Sequence, residues 1–191
     1  MSLRFFVLAA VSSALLVPLI CSAESSAAKQ FDCLDMFDVL ASLAAPACLS
    51  EQPVDRAPEI TAAIDLLVKH RFVSRAQFRT IEVAFCPLNF GLGLVPKSNT
   101  IFIDDGLRHG SIDTLAEILM HELEHVNQIH TMGVTNFKCG YINALVDCGG
   151  CYDENHPLEA PAYAAQARVR DFLLAQWKRQ FSSETPPLTT K

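Results

Sequence analysis

Apolar positions along the chain fall into blocks of different period. Phe31 to Leu49 carries Leu34, Phe37, Leu40, Ala41 and Ala44 at helical spacing, which predicts a helix ending before Pro46. Ser50 to Arg56 is a polar connection. Pro58 suits the first turn of a second helix, whose stripe of Ile60, Ile64, Leu67 and Val68 runs to about His70. The period then changes. Thr80 to Phe85 sets Ile81, Val83 and Phe85 against Thr80, Glu82 and Ala84, the alternation of a half-buried strand. Asn89 to Gly93 reads as a turn or bulge, Leu94 and Val95 as the start of a short second strand, and Pro96 to Asn99 as a turn. Thr100 to Asp104 predicts another strand, with Ile101 and Ile103 on one face and Phe102 on the other.

A long helix follows the connecting loop Asp105 to Gly110. Ser111 is its N-cap, Asp113 sits in the first turn where the helix dipole favours an acid, and Gly133 stops it. Leu115, Ile118, Leu119, Val126 and Ile129 form its buried stripe. Val134 to Asn155 reads as a long loop stapled by its cysteines. Pro157 starts the last helix, which runs through Leu158, Tyr163, Ala167, Phe172, Leu173 and Trp177 to about Phe181. No internal repeat is visible. The expected class is α+β: a small twisted sheet packed on the long helix, in one domain spanning 31–181. A mobile segment, 24–30, precedes it and a disordered tail, 182–191, follows.

The N-terminus accounts for part of the hydrophobicity. Arg4 precedes an apolar run from Phe5 to Ile20, and Cys21-Ser22-Ala23 supplies small residues for cleavage after Ala23. Residues 1–23 therefore read as a secretory signal peptide. An uncleaved anchor is disfavoured because the run is shorter than the roughly 20 residues a spanning helix needs. Bulky Ile20 disfavours lipidation of Cys21. The net charge is −6, and without residues 1–23, which hold one basic and no acidic residue, it is −7. Neither nucleic acid nor an anionic membrane is an expected partner for such a chain. Stable membrane insertion is not expected after cleavage, and the expected location is secreted or periplasmic.

Six cysteines remain beyond the signal: Cys33, Cys48, Cys86, Cys139, Cys148 and Cys151. An even number behind a signal peptide predicts three disulfides in an oxidising compartment. The favoured local pair is Cys33 with Cys48. Cys139 with Cys148 or Cys151 comes next, which leaves Cys86 a long-range partner. Cys148-Gly149-Gly150-Cys151 also has the spacing of a redox or structural zinc motif. It lacks the thioredoxin-like pattern around it, so a disulfide role is preferred.

The chemistry concentrates in His121-Glu122-Leu123-Glu124-His125, an H-E-x-x-H motif within the long helix. Residues four apart share a helix face, so both imidazoles can reach one zinc ion, with Glu122 placed to act as general base on water. A catalytic zinc usually takes a third protein ligand. Asp147, Asp153, Glu154, His156 and Glu159 are the candidates, and Glu159 is preferred because it lies in the first turn of the next predicted helix. A donor to the developing oxyanion is also expected. Tyr163 shares the Glu159 face, and Tyr141, Tyr152 and His156 compete for the role. Glu124, Asn127 and Gln128 face solvent or steady the ligands from outside, as Asp147 and Asp153 also can.

The run from His121 to Gln128, followed by Pro157-Leu158-Glu159-Ala160-Pro161-Ala162-Tyr163, resembles the zincin metallopeptidases of the gluzincin type, most closely their small single-domain members. In that family the third ligand is a Glu on the helix after H-E-x-x-H, often in an E-x-x-A setting, which Glu159 and Ala162 match. The resemblance covers about Thr100 to Trp177. It implies His121, His125 and Glu159 as ligands of Zn2+, Glu122 as general base, and a peptide or protein substrate. The interval from His125 to Glu159 is longer than in the commonest pattern, and the extra residues carry cysteines. The metzincin pattern fails, since it needs Gly and His where Gln128 and Thr131 stand. In zincins the strand before the motif helix is often a sheet edge facing the cleft, so Thr100 to Asp104 is expected to accept an extended peptide. The expected function is thus a secreted zinc metallopeptidase. The alternatives are a disulfide-stapled binding module with a structural or absent metal, and zinc-dependent hydrolysis of a non-peptide bond.

Overall fold

The computed structural model describes residues 32–49 and 57–183. The expected signal peptide, 1–23, the expected mobile segment, 24–30, and the end of the expected tail lie outside the described residues. Helix α1, Cys33–Ala44, begins where the Asp32 side chain accepts from the Leu34 amide, and it buries Phe37, Ala41 and Ala44. Helix α2, Pro58–Lys69, starts on its proline and buries Ile60, Ala63, Ile64 and Leu67. Three strands follow: β1 Glu82–Cys86, β2 Gly93–Lys97 and β3 Thr100–Asp104. Helix α3, Ile112–Met132, is capped by Ser111, whose side chain accepts from the Thr114 amide, and stopped by Gly133 at φ 83°. Helices α4, Val134–Asp147, and α5, Glu159–Ser183, complete the chain. The fold is α+β, with five helices and one three-stranded sheet among the described residues.

The sheet order is β1-β3-β2, with β1 parallel and β2 antiparallel to β3. This corrects the expectation of an edge strand at Thr100–Asp104. β3 is central, and Thr100, Ile101, Phe102 and Ile103 are all buried. Ile101 and Ile103 join the main core against Leu115, Leu119 and Leu123, while Phe102 turns to a smaller cluster with Ala45, Ala84 and Cys86. The exposed edges fall to β1 and β2.

α3 runs through the middle of the molecule. It touches α2, α4, α5, β2 and β3, which is why Ala116, Met120 and Leu123 are buried beside the predicted stripe. Its buried surface is wider than a single stripe, and the polar residues buried there need partners. α5 packs along α3 through Ala162, Ala165, Val169 and Leu173, whose small residues allow close approach. On the same helix Trp177 is half-exposed, and Tyr163 lies at the rim of the buried face.

A second correction concerns Val134 to Asn155. Its first fourteen residues form α4. Only Phe137 and Ile142 are buried on it, five residues apart, so no helical stripe marks the sequence. The helix is held by tertiary contacts instead: Phe137 and Tyr141 meet Phe37 of α1 edge-on, and Cys139 is bonded to Cys33.

The disulfides are Cys33–Cys139, Cys48–Cys86 and Cys148–Cys151. The number matches expectation and the predicted pairs do not. Cys33 and Cys48 sit at opposite ends of α1, and the α4 helix puts Cys139 beside Cys33 rather than beside Cys148. Cys48 takes Cys86, leaving Cys148 and Cys151 to close the turn after α4. Three disulfides fit an oxidising compartment. No helix among the described residues is long and apolar enough to cross a membrane.

Candidate metal centre

His121 and His125 stand one turn apart on α3, with ring centroids 5.0 Å apart. Glu159 reaches them from the first turn of α5. Its Oε2 lies 3.0 Å from His121 Nε2 and 3.5 Å from His125 Nε2. All three side chains are buried, and one ligand atom from each falls within 4.8 Å of the others. This group can hold a metal ion.

Each member is fixed by a neighbour. Tyr141 of α4 donates its hydroxyl to Glu159 Oε1 at 2.5 Å. Gln128, one turn beyond His125, bonds His125 Nδ1 at 3.0 Å through Oε1 and the Leu158 carbonyl at 2.8 Å through Nε2. His121 is flanked by the Tyr163 ring at 4.8 Å, edge-on, and its Nδ1 is buried without a hydrogen-bond partner. Glu122 is buried beneath β2. A Cβ placed on Gly93 would come within 2.3 Å of Glu122 Oε1, so the strand passes close against this carboxylate.

The electrostatics favour a cation. Burial raises the Glu122 pKa; His121 and His125 oppose the rise and Glu159 adds to it. Burial also acts to raise Glu159, but the bonds from His121 and His125, the charge of His125 and the Tyr141 hydroxyl outweigh it and hold this carboxyl well below the usual range. For His125, burial works against protonation. The bond to Glu159, the charges of Glu122 and Glu159 and the bond to Gln128 overcome it and lift the pKa to about 9. Among the described residues the Arg and Lys ion pairs are made with Asp38, Asp65, Asp105 and Asp171, none with Glu122 or Glu159. Two buried carboxylates without a Lys or Arg partner need positive charge. A protonated His125 supplies one such charge. A divalent cation held by His121, His125 and Glu159 would supply more, and two imidazoles with one carboxylate are a donor set that zinc accepts. The residues present therefore fit such an ion.

Of the other third-ligand candidates, His156 is fully buried with both ring nitrogens engaged. Its Nδ1 accepts from the Leu158 amide, and its Nε2 donates to the Tyr141 carbonyl. Asp153 accepts from Asn155. Neither they nor Asp147 and Glu154 fall in the cluster. Tyr163 turns its hydroxyl to the Tyr152 carbonyl at 3.1 Å. Burial, then Glu159, raises the pKa of both Tyr163 and Tyr141, so each stays a protonated donor. Two contributions escaped the sequence reading. Tyr141 as the partner of Glu159 depended on α4, which carries no stripe. Gly93 against Glu122 was signalled only by the turn-like Gly91-Leu92-Gly93. A concavity of about 740 Å³ between α1 and α4, lined by Asp32, Met36, Ile142, Val146 and Asp147 among others, holds none of His121, Glu122, His125 and Glu159.

Compared with protein-family profiles, with curated proteins and with solved structures, the chain finds no match.

Proposed function

We propose that this protein is a secreted zinc metallopeptidase with a zincin-like arrangement of the gluzincin type. The observation that carries the reading is the meeting of His121 and His125 with Glu159, 38 residues from His121 in sequence, in one buried cluster beside Glu122. Two histidines of an H-E-x-x-H helix converging on a downstream Glu is the arrangement that metal-assisted hydrolysis uses. The sheet above the motif helix supports the zincin-like reading, and the three disulfides support secretion.

When bound, zinc would act as a Lewis acid on the scissile carbonyl and make water more acidic. His121, His125 and Glu159 would hold it. Glu122 takes a proton from the attacking water and delivers it to the leaving amine. Tyr163, at the open side of His121, donates to the developing oxyanion once its hydroxyl leaves the Tyr152 carbonyl. β2 is hydrogen-bonded to the sheet on one side only and passes over Glu122, so an extended peptide pairs with this strand rather than with β3.

The test compares the purified protein with Glu122→Gln and His121→Ala, measuring zinc content and cleavage of a broad peptide library. The wild type is expected to hold one zinc and cleave peptides. Glu122→Gln should keep the metal and lose cleavage, and His121→Ala should lose both. A fully active Glu122→Gln would overturn the mechanism. A wild type that binds no zinc from excess metal would leave the binding module as the better account.

A further inference from the structure

Gln128 occupies the third position after the motif, and its two bonds have a directional consequence. The Leu158 carbonyl can only accept, so the Gln128 atom facing it at 2.8 Å is the amide nitrogen. The amide oxygen therefore faces His125, and an oxygen can only accept. The proton of the neutral His125 ring then sits on Nδ1, and Nε2 presents a lone pair to the cluster. The same side chain holds the carbonyl of the residue immediately before Glu159. It thus ties the ring of one ligand on α3 to the backbone that delivers another ligand on α5.

We propose that Gln128 is a positioning residue that selects the metal-binding tautomer of His125 and sets the place of Glu159. The inference rests on the metal reading above and deepens it. His121 offers the internal contrast, since its Nδ1 has no such partner. Asn127 offers another: it is adjacent in sequence, and its side chain points to Glu124 at 3.5 Å rather than to a ligand. A carboxamide is needed for both tasks, because one end must accept and the other donate. Glutamate keeps the first function and loses the second, whereas leucine loses both.

The experiment measures Zn2+ affinity by competition with a chromophoric chelator for wild type, Gln128→Leu, Gln128→Glu and Asn127→Ala. Hydrogen exchange of the Glu159 and Ala160 amides is followed in the metal-free proteins. Gln128→Leu is expected to bind zinc about 10–100-fold more weakly, the usual effect of losing a partner of a ligand histidine. Gln128→Glu should recover part of that affinity through the acceptor it retains, yet still exchange the two amides faster than wild type. Asn127→Ala should match wild type in both respects. Wild-type affinity in Gln128→Leu, or no recovery in Gln128→Glu, overturns the proposal while leaving the metal centre standing. Should Gln128→Leu fail to fold, the isosteric Gln128→Glu decides through exchange alone, and wild-type rates overturn the proposal. A wild type that binds no zinc sinks both readings together.

Discussion

The Tyr141 hydroxyl donates to one oxygen of Glu159, while the other oxygen faces the Nε2 atoms of His121 and His125. The carboxylate is thereby divided between a donor on α4 and a cation site between α3 and α5. Tyr141→Phe removes the donor while keeping the ring that packs on Phe37 and His156. A hydrogen bond to a charged, buried acceptor is worth about 1.5–3 kcal/mol. Urea unfolding of the metal-free variant is expected to show a loss of that order, and zinc affinity should fall by about tenfold or more. An unchanged unfolding midpoint would mean that solvent replaces the hydroxyl at no cost.

The metal-free protein should also carry a pH signature. His125 has a folded pKa of about 9, above its ordinary 6.5. A raised histidine stabilises the fold fully below its unfolded value, and this contribution disappears as pH rises through the folded one. Glu159 is depressed below 4.5, so its contribution is present above that value and fades as pH falls. Glu122 is raised, which adds to the loss of stability as pH climbs. The melting temperature of metal-free protein is therefore expected to peak at about pH 5 and to decline above it, with the His125 loss falling between about 7 and 9. Zinc competes with the protons, so the rise in melting temperature on adding zinc should grow across the same upper window. A flat profile without metal would show that His125 is not held by the two carboxylates.

Gly93 has a role that only close approach explains. A methyl group there would meet the Glu122 Oε1, Cδ and Cγ atoms at 2.3, 2.5 and 2.6 Å. Glu122 is buried, so its side chain has little room to withdraw. Gly93→Ala should cost about 1–3 kcal/mol of stability from overpacking. The His121, His125 and Glu159 cluster stays intact, so metal content is expected to hold. On the proposed mechanism, peptide cleavage should drop by about 100-fold, the scale of a displaced catalytic group. Wild-type turnover in this variant would remove Glu122 from the reaction, whatever its metal content.

Much of this was legible in the chain because local signals and tertiary demands agree. Ser111, Gly133 and the stripe from Leu115 to Ile129 define α3 within a residue of its observed ends. Pro58 does the same for the start of α2. The preference for Glu159 rested on its place at the start of a predicted helix, and α5 does begin there. Legibility failed where structure depends on distant partners. α4 is helical because Phe37, Cys33 and Asp38 of α1 engage Phe137, Tyr141, Cys139 and Lys138, none of which leaves a periodic mark. The strand order failed for a related reason. Thr100 to Asp104 puts Ile101 and Ile103 on one face and Phe102 on the other, and both faces are covered, one by the main core and one by Ala45, Ala84 and Cys86. A five-residue strand that is apolar on both faces signals burial rather than an edge.

The three disulfides should separate stability from metal binding. In the chain-entropy account a crosslink restricts the unfolded chain more as its loop lengthens. The sequence separations are 106 for Cys33–Cys139, 38 for Cys48–Cys86 and 3 for Cys148–Cys151. Those loops correspond to about 5, about 4 and under about 2 kcal/mol. Paired Cys→Ala variants are expected to unfold in that order of loss, measured at fixed pH without metal. Zinc affinity should follow a different order. Cys139 lies two residues before Tyr141 on the helix that Cys33 anchors, so opening this bridge loosens the donor to Glu159. Cys48–Cys86 joins the end of α1 to β1, away from the cluster, and its removal should leave zinc affinity close to wild type while still lowering the melting temperature. Equal losses of zinc affinity in the two variants would show that global stability, rather than the hold on Tyr141, limits metal binding.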